Sequence, residues 1–235
     1  MKTYTINTFE ELILTFEKFK DNSSYIFRGQ SDTSWKLIPK AGRNEFIQRD
    51  KFGLSDNRLF RSWKRYAINY IKIKPSNDWE WYSLAQHHGL ATKLLDWSKN
   101  PLIAAFFAVN DNIENDAAIY TFRIDKFIDE TIYESPFDIK GFAVYYPHGI
   151  STRIIVQRGV FTISEHPEKP VEDVLKGKLH KIIIPKDLKK DIKSRLEFYD
   201  INMFSIFQDL DSLSDYLNNF TVESINLLNI KPPVG

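Results

Sequence analysis

The period of the hydrophobic pattern changes along the chain, and this change limits the fold more than any other feature. After the capping-box pattern at 8–11, apolar residues follow at helical spacing up to Phe19. In the middle of the chain, Ala118, Tyr120, Phe122 and Ile124 alternate at period two. Helical patterns return near the C-terminus. The pattern therefore predicts a single α+β domain, with a mixed or antiparallel sheet at its strand-rich centre and helices around it.

Local signals define the expected elements more closely. We expect helices over 59–71, 186–199 and 211–220. Another helix should begin at an Asp78 cap and end at Gly89. A further helix should begin at an Asn100 cap and continue through the apolar run to Val109. Strands are expected over 24–27, 118–124, 142–146, 153–156, 160–163 and 179–184. One shared core should hold five residues: Phe27, Leu95, Phe106, Phe107 and Phe122.

Composition narrows the function classes. The 235 residues contain 32 Lys and Arg against 31 Asp and Glu, so no overall positive charge favours nucleic acid as a partner. The chain has no Cys, which excludes disulfides, thiolate zinc sites and a Cys nucleophile. No signal-peptide pattern opens the sequence, and the apolar run at 101–109 is much shorter than the ~20 residues of a membrane span. We therefore expect a cytoplasmic protein without a membrane partner.

The first candidate site residue is Arg28, which ends a short aromatic strand and precedes Gly29. A guanidinium fork beside a glycine suits a diphosphate or a carboxylate, because glycine lets the backbone approach a ligand closely. The alternative is a structural ion pair of Arg28 with Asp32 or Asp96, with Gly29 supplying only a positive φ.

A second polar group, Gln86-His87-His88-Gly89, lies at the expected C-terminus of a helix. Adjacent helical residues diverge by about 100°, so only one imidazole can face a given point unless the helix has already ended. The pair lacks the i, i+4 spacing of helical metal ligands, and we expect no metal site.

The next segment, 92–97, places Thr92, Lys93 and Asp96 between this helix and the apolar helix. If Leu94 and Leu95 face the core, the polar side chains must face a solvated cavity or one another, because unpaired buried charge is costly. Asp96 is either a catalytic carboxylate or a structural hydrogen-bond acceptor.

A second Arg-Gly pair occurs in Gln157-Arg158-Gly159, which leads into a strand. It either lines the same cleft as Arg28 or forms a hairpin in which Gly159 is left-handed. Polar residues at several element ends are typical of a shared pocket. We expect convergence on one cleft of the following residues: Arg28, Gln86, one of His87 and His88, Asp96 and Gln157.

Together these stretches resemble the FRG domain family, whose name describes the triplet Phe27-Arg28-Gly29. The resemblance rests on Tyr25-Ile-Phe-Arg-Gly-Gln30, Leu84-Ala-Gln-His-His-Gly-Leu-Ala-Thr-Lys-Leu-Leu-Asp-Trp97, Asn100-Pro-Leu-Ile-Ala-Ala-Phe-Phe-Ala108 and Gln157-Arg-Gly-Val-Phe-Thr162. It implies an FRG domain over 25–216, with a lead-in at 1–24 and a tail at 217–235. The sequence departs from the family pattern at Lys93, where relatives usually carry Arg, and at Gln208, where they usually carry Pro.

FRG domains are widespread in bacteria and phages, and the family does not supply a mechanism. The order of the polar segments is also similar to ADP-ribosyltransferases, in which the Arg of an aromatic-Arg-Gly strand binds the pyrophosphate of NAD and a late strand carries an acidic or amide residue. A Glu at that place would stabilise the sugar cation, whereas Gln157 there implies weak transfer or none. This similarity implies NAD as a substrate and Glu165 or Gln157 as the late residue. The candidate catalytic residues are Asp96, His87, His88, Gln157 and Glu165; the candidate ligand-binding residues are Arg28, Gly29, Gln30, Gln86, Thr92, Lys93 and Arg158.

Three functions stay open on these residues. The first is an NAD-binding, ADP-ribosyltransferase-like enzyme acting on a protein or nucleic-acid target. The second is a sensing or interaction module that binds a small anion or nucleotide without chemistry. The third is a nuclease or other hydrolase that uses His87 or His88 with Asp96 for acid–base catalysis. A role in phage defence and the oligomeric state are left undecided.

Overall fold

A computed structural model describes residues 1–20, 24–125, 127–130, 132–148 and 152–227. Its strands form one mixed sheet of seven strands in the order β1-β7-β4-β2-β3-β6-β5. The strands are β1 (Lys2–Thr5), β2 (Tyr25–Gln30), β3 (Leu94–Ser98), β4 (Ala117–Arg123), β5 (Phe142–Tyr145), β6 (Gly159–Ser164) and β7 (His180–Ile184). The β1–β7 pair is parallel and the other pairs are antiparallel. The α+β class predicted from the sequence is confirmed.

Helices cover the sheet. They are α1 (Phe9–Glu17), α2 (Asn44–Ile47), α3 (Asp56–Ala67), α4 (Asp78–His87), α5 (Pro101–Val109), α6 (Thr152–Val156), α7 (Val171–Val174), α8 (Lys189–Phe198), α9 (Met203–Phe207) and α10 (Leu210–Leu227). Short 3-10 turns occur at Lys40–Gly42, Arg49–Phe52, Pro136–Asp138 and Lys186–Leu188. Within the described ranges, none of these helices combines the length and the apolar character needed to cross a membrane.

The two faces of the sheet carry different layers. Paired residues of neighbouring strands point to the same face, so the pairs Phe27–Ser98 and Asp96–Phe161 define one face. On this face, α1, α5 and α8 pack over one half of the sheet, and α3 and α4 pack over the other half. Among the described residues, the opposite face holds an apolar cluster that includes Leu95 and Phe122.

This layering corrects the expectation of one shared core. Phe27 and Phe106 belong to the cluster under α5, with Phe107 at its edge, whereas Leu95 and Phe122 lie on the other face of the sheet. The reason is strand alternation, because neighbouring residues of a strand point to opposite faces. The apolar pattern identified buried residues without assigning them to a face.

Helix α5 lies very close to β2. Asn100 caps it by accepting a hydrogen bond from the Leu102 N–H at 2.9 Å, and Pro101 occupies its first turn, both as predicted. A Cβ atom at Gly29 would lie 1.9 Å from the Ala104 carbonyl oxygen. Gly29 is therefore required by the contact between helix and strand, and its φ is not positive, contrary to the reading in which it supplies only a positive φ.

Three local expectations were wrong. Residues 153–156 form part of α6 rather than a strand, because packing of a short β-branched run on α9 and β6 outweighs its strand propensity. Asn77, not Asp78, caps α4, since its side chain accepts from the Glu80 N–H at 2.9 Å. The second helical stripe ends at Ala67, so the exposed Tyr70 lies beyond the helix.

Candidate functional site

A cavity of about 1090 Å³ opens on the helical face of the sheet. It lies between the two apolar clusters of that face, above β2, β3 and β6. Its floor includes Asp96, the one exposed residue of β3, together with Gly29 and Gly159, which lack side chains. The break between the two helical layers therefore exposes polar sheet residues at the centre of the domain.

Arg28 bridges a gap in the sheet. The ladder between β2 and β3 has one registered pair in the described chain, Phe27–Ser98, so the strands separate beyond it. The Arg28 guanidinium crosses this gap, and its Nη1 donates to the Asp96 carbonyl oxygen at 2.6 Å. The same Nη1 lies 3.8 Å from Asp96 Oδ2. The side chain of Arg28 is 18% exposed and that of Asp96 is 58% exposed, so the two do not form a buried ion pair.

Three buried polar atoms in the cavity wall have no hydrogen-bond partner among the described residues. They are Arg28 Nε, Gln30 Oε1 and Gln157 Nε2, and each of these residues lines the cavity. Buried polar groups are almost always satisfied, because an unmade hydrogen bond costs about 1–3 kcal/mol. Such atoms at the edge of a cavity are suited to a polar ligand.

A chain of hydrogen bonds fixes the Asp96 carboxylate. Gln86 Nε2 donates to Asp96 Oδ2 at 2.9 Å, and Gln86 Oε1 accepts a short hydrogen bond from Thr92 Oγ1. Thr92 Oγ1 in turn accepts from the Leu94 N–H at 3.2 Å. Thr92 thus lies behind Gln86, away from the cavity lining, and orients the amide that holds Asp96.

His87 and Arg153 complete this side of the cavity. The pKa of His87 is lowered mainly by burial, and the nearby His88 and Arg153 lower it further. Asp209 and Asp96 act in the opposite direction and raise this pKa. Burial also lowers the pKa of Arg153, and the charges of Asp96 and Asp209 partly offset this decrease. The Arg153 guanidinium lies 4.4 Å from the centre of the Phe207 ring, which holds it by a cation–π contact.

Charges of both signs line the cavity. Burial lowers the pKa of Arg28; the Asp96 carboxylate opposes this effect and Arg43 adds to it. The positive lining residues are Arg28, Lys36, Arg43 and Arg153, and the acidic ones are Glu45, Asp96, Asp111 and Glu168. Beside them Trp35, 49% exposed, presents a large aromatic surface.

The turn before β6 is held against β3. Ser98 Oγ donates to the Gln157 carbonyl oxygen at 2.7 Å, and the Lys99 N–H donates to the Arg158 carbonyl oxygen at 3.1 Å. Arg158 takes the left-handed conformation, with φ 49°, and Gly159 does not, contrary to the hairpin reading. The turn follows α6, and Gln157 and Gly159 face the cavity.

The structure brings together most of the residues expected to share a cleft. Arg28, Gly29, Gln30, Gln86, His87, Asp96 and Gln157 line the cavity. The other candidates lie elsewhere: His88 stacks on Trp63, Thr92 is buried behind Gln86, Lys93 Nζ is 3.8 Å from Asp56, Arg158 is exposed, and Glu165 pairs with Lys140 at 3.2 Å. Among the described residues, no group of three or more His, Asp or Glu is arranged to hold a metal ion.

Sequence reasoning missed Arg153 and Arg43. Arg153 was assigned to a strand, but the helical spacing of Arg153 and Gln157, four residues apart, would have placed both on one face. The backbone agrees, since the Gln157 N–H donates to the Arg153 carbonyl oxygen at 2.9 Å. Arg43 lies on a short segment of irregular backbone and had no comparable signal.

The fold and cavity define an α+β domain with an arginine-lined cavity. Residues 23–117 match the family model of the FRG domain. No curated protein and no solved structure matches the chain significantly.

The FRG match contains only part of the cavity wall. It includes Arg28, Gln86, His87 and Asp96, whereas Arg153 and Gln157 follow it in the chain. The cavity is therefore built from the FRG segment and from the α6–β6 region beyond it.

Proposed function

We propose that this protein binds a nucleotide with a diphosphate, NAD in particular, and acts as an ADP-ribosyltransferase-like enzyme on a macromolecular target. One observation carries the proposal: Arg28 is mostly buried, and its unpartnered Nε lies in the cavity wall beside the fixed carboxylate of Asp96. Arginine binds phosphate oxygens through two parallel N–H donors, and Arg28 has one such donor without a partner.

The residues of the cavity fit the steps of ADP-ribosyl transfer. Arg28 would bind the diphosphate, and Gln30 and Gln157 would bind polar groups of the two nucleosides. As the bond between the ribose C1′ and the nicotinamide nitrogen breaks, its electron pair leaves with nicotinamide and the ribose gains positive charge. Asp96, held by Gln86 at 2.9 Å, would stabilise that charge. A nucleophile of the target then bonds to C1′, and its proton passes to His87 or to solvent.

Asp96 replaces Glu165 in this proposal. Glu165 accepts from the Gly141 N–H at 3.0 Å and pairs with Lys140, and it does not line the cavity. Gln157 does line the cavity, but an amide carries no charge to stabilise a ribosyl cation. Asp96 is a carboxylate that is both exposed to the cavity and fixed by a hydrogen bond.

His87 favours a second candidate function, hydrolysis of a phosphate ester or glycosidic bond. Its imidazole lines the cavity with Asp96, and burial lowers its pKa, so that it is neutral at neutral pH and able to accept a proton. In this case Arg28 would bind the phosphate under attack, and His87 would activate water.

The first test measures binding and turnover on the same samples. NAD, ADP-ribose and AMP are titrated into the wild type, Arg28→Ala and Arg123→Ala by calorimetry, and release of nicotinamide from NAD is followed by chromatography. Arg123 is an exposed residue at the end of β4 and is absent from the cavity lining, so Arg123→Ala controls for the loss of one charge. We expect binding of NAD and ADP-ribose that is lost in Arg28→Ala alone.

The turnover assays separate the three functions. Transfer of label from NAD to a component of a cell lysate, lost in Asp96→Asn, supports the transferase. Cleavage of a phosphodiester or nucleotide without transfer, lost in His87→Gln, supports the hydrolase. Tight binding of nucleotide with no turnover selects a sensing module, and no nucleotide binding at all contradicts the cavity assignment.

A further inference from the structure

The sequence from Asn57 to Asn77 is strongly basic. It contains six Lys and Arg and no Asp or Glu. Setting these six aside leaves 26 of the chain's 32 Lys and Arg against 31 Asp and Glu, so the rest of the chain is acidic overall. The near-zero net charge of the chain therefore conceals a local concentration of positive charge.

Helix α3 and the segment after it expose five of these six charges. Arg58, Arg61 and Arg65 are spaced i, i+3, i+7 on α3, and all three are exposed. Lys72 and Lys74 follow and are also exposed. We call these five cations, with Tyr66 and Tyr70, the α3 surface. The opposite side of α3 packs on the core through Phe60, Trp63 and Ala67.

Neighbouring acidic groups do not neutralise this surface. Asp78 pairs with Lys64 at 2.6 Å, and Asp56 lies 3.8 Å from Lys93. Within the described chain, Arg61, Arg65, Lys72 and Lys74 have no ion pair with an acidic residue. Lys64 and Arg65 also complement the dipole at the end of α3, but that role does not need the other cations.

Two exposed tyrosines lie among these cations. Tyr66 is 70% exposed and Tyr70 is 87% exposed. Aromatic rings on a positive surface are a feature of sites for single-stranded nucleic acid, since unpaired bases stack on the rings while Lys and Arg bind the phosphates. A duplex keeps its bases stacked, and its phosphates alone would not require the rings. A membrane surface fits less well, because the apolar side of α3 is already packed on the core.

We propose that the α3 surface binds single-stranded nucleic acid. The backbone phosphates would contact Arg61, Arg65, Lys72 and Lys74, and bases would stack on Tyr66 and Tyr70. The proposal is independent of the nucleotide proposed for the cavity, because it uses none of the cavity residues. If both hold, nucleic acid is the class of macromolecule that this surface would bring to the protein.

The test is fluorescence anisotropy of a labelled 20-nucleotide oligo-dT, without NAD, at several salt concentrations. About four phosphate contacts predict that the wild-type affinity falls roughly 50-fold between 50 and 200 mM salt. In Arg61→Ala/Arg65→Ala, the slope of log affinity against log salt should decrease by about 1.4. In Tyr66→Ala/Tyr70→Ala, the affinity should fall roughly 10-fold or more with the slope unchanged.

The matched control is Lys186→Ala/Lys190→Ala, which removes two exposed positive charges at the start of α8. It should retain wild-type affinity and slope. The proposal is overturned if the wild type does not bind the oligonucleotide, or if the control loses as much affinity as the α3 variants. Equal binding of poly-glutamate, or binding only to vesicles with 30% phosphatidylserine, would also overturn it. Thermal melting of each variant checks that the fold is intact.

Discussion

The cavity and the α3 surface both present arginine, but they do so in opposite ways. In the cavity, Arg28 is mostly buried, and acidic residues equal the basic ones in number. On the α3 surface, Arg61 and Arg65 are exposed and have no acidic partner among the described residues. Exposed charges bind long polyanions through many weak, salt-sensitive contacts, whereas a buried guanidinium selects one anion by geometry. The arrangement of the arginines thus predicts two ligands of different size.

Gly29→Ala should have the largest effect of the substitutions considered, because it would disrupt the contact between α5 and β2 beside the cavity. It does not alter the residues of the α3 surface. The new Cβ would lie 1.9 Å from the Ala104 carbonyl oxygen and 2.7 Å from the Ala108 nitrogen, and neither backbone atom can move alone. We expect a loss of stability of about 3 kcal/mol or more and a fall in melting temperature of roughly 10 °C.

The control for Gly29→Ala is Gly159→Ala on the facing strand. There a Cβ would meet its nearest neighbour, the Ile154 carbonyl oxygen, at 3.4 Å, and the φ of Gly159 is not positive. Its melting temperature should fall much less. Equal losses in the two variants would show that the contact between α5 and β2 has no special role in the fold.

Arg28→Ala should separate binding from stability. It removes a hydrogen bond to the Asp96 carbonyl oxygen but leaves no buried carboxylate unpaired, since Asp96 is 58% exposed. Stability should fall by about 1 kcal/mol, and affinity for ADP-ribose roughly 100-fold. Arg28→Lys should not restore this affinity, because lysine lacks the second donor of the fork. A loss of stability of about 3–5 kcal/mol with affinity unchanged would make Arg28 a structural residue.

Trp35→Ala should have a smaller effect on the same ligand. If a base of the nucleotide stacks on the exposed indole, its loss should weaken binding by about 1–3 kcal/mol, and Trp35→Phe should restore most of that loss. Calorimetry with ADP-ribose, which has a base, and with ribose 5-phosphate, which has none, tests whether the indole stacks on a base. Stacking predicts that only the ligand with a base responds to the substitution.

The smallest expected effect is the pH dependence of stability from His87. Its pKa in the folded state is lowered below 6.5, mainly by burial, with His88 and Arg153 adding to the effect and Asp209 and Asp96 opposing it. The folded state then binds fewer protons than the unfolded state, so stability from this residue is complete above about pH 6.5 and is lost below it. Because His87 is only half-buried, the change should be about a few tenths of a kcal/mol.

Melting temperatures of the wild type and His87→Gln from pH 5 to 8 measure this contribution of His87 to stability. The wild type should lose stability relative to the variant as the pH falls below 6.5. A relative gain of stability at low pH would reverse the assigned direction. His148, whose pKa is raised by the hydrogen bond between its Nδ1 and the accepting Glu80 carboxylate, is present in both proteins and cancels in the difference.

The comparison also shows what the sequence could and could not predict. Capping residues and periodicity located most helices and strands, because these signals are local: Thr8, Asn100 and Pro101 all have the expected roles. The grouping of Arg28, Gln86, Asp96 and Gln157 followed from polar residues at element ends. Sheet order is set by long-range pairing, which no local signal records.

Two kinds of site residue could not be derived from local patterns. Gly29 looked like a ligand contact, but the reason for the glycine is a helix that approaches from 75 residues further along the chain, at Ala104. Arg153 lies in a β-branched run that folds as helix because of its packing. The sequence from Asn57 to Asn77 shows six cations without acids, but the exposure of Tyr66 and Tyr70 on the α3 surface is a result of where the helix packs.

The most direct test of the central claim is a crystal structure of the protein bound to ADP-ribose. We predict the diphosphate in the cavity, with one oxygen within about 3 Å of Arg28 Nε and another near its Nη atoms, and the ribose beside Asp96. Ordered ligand on any other surface, with Arg28 Nε still without a partner, would contradict it.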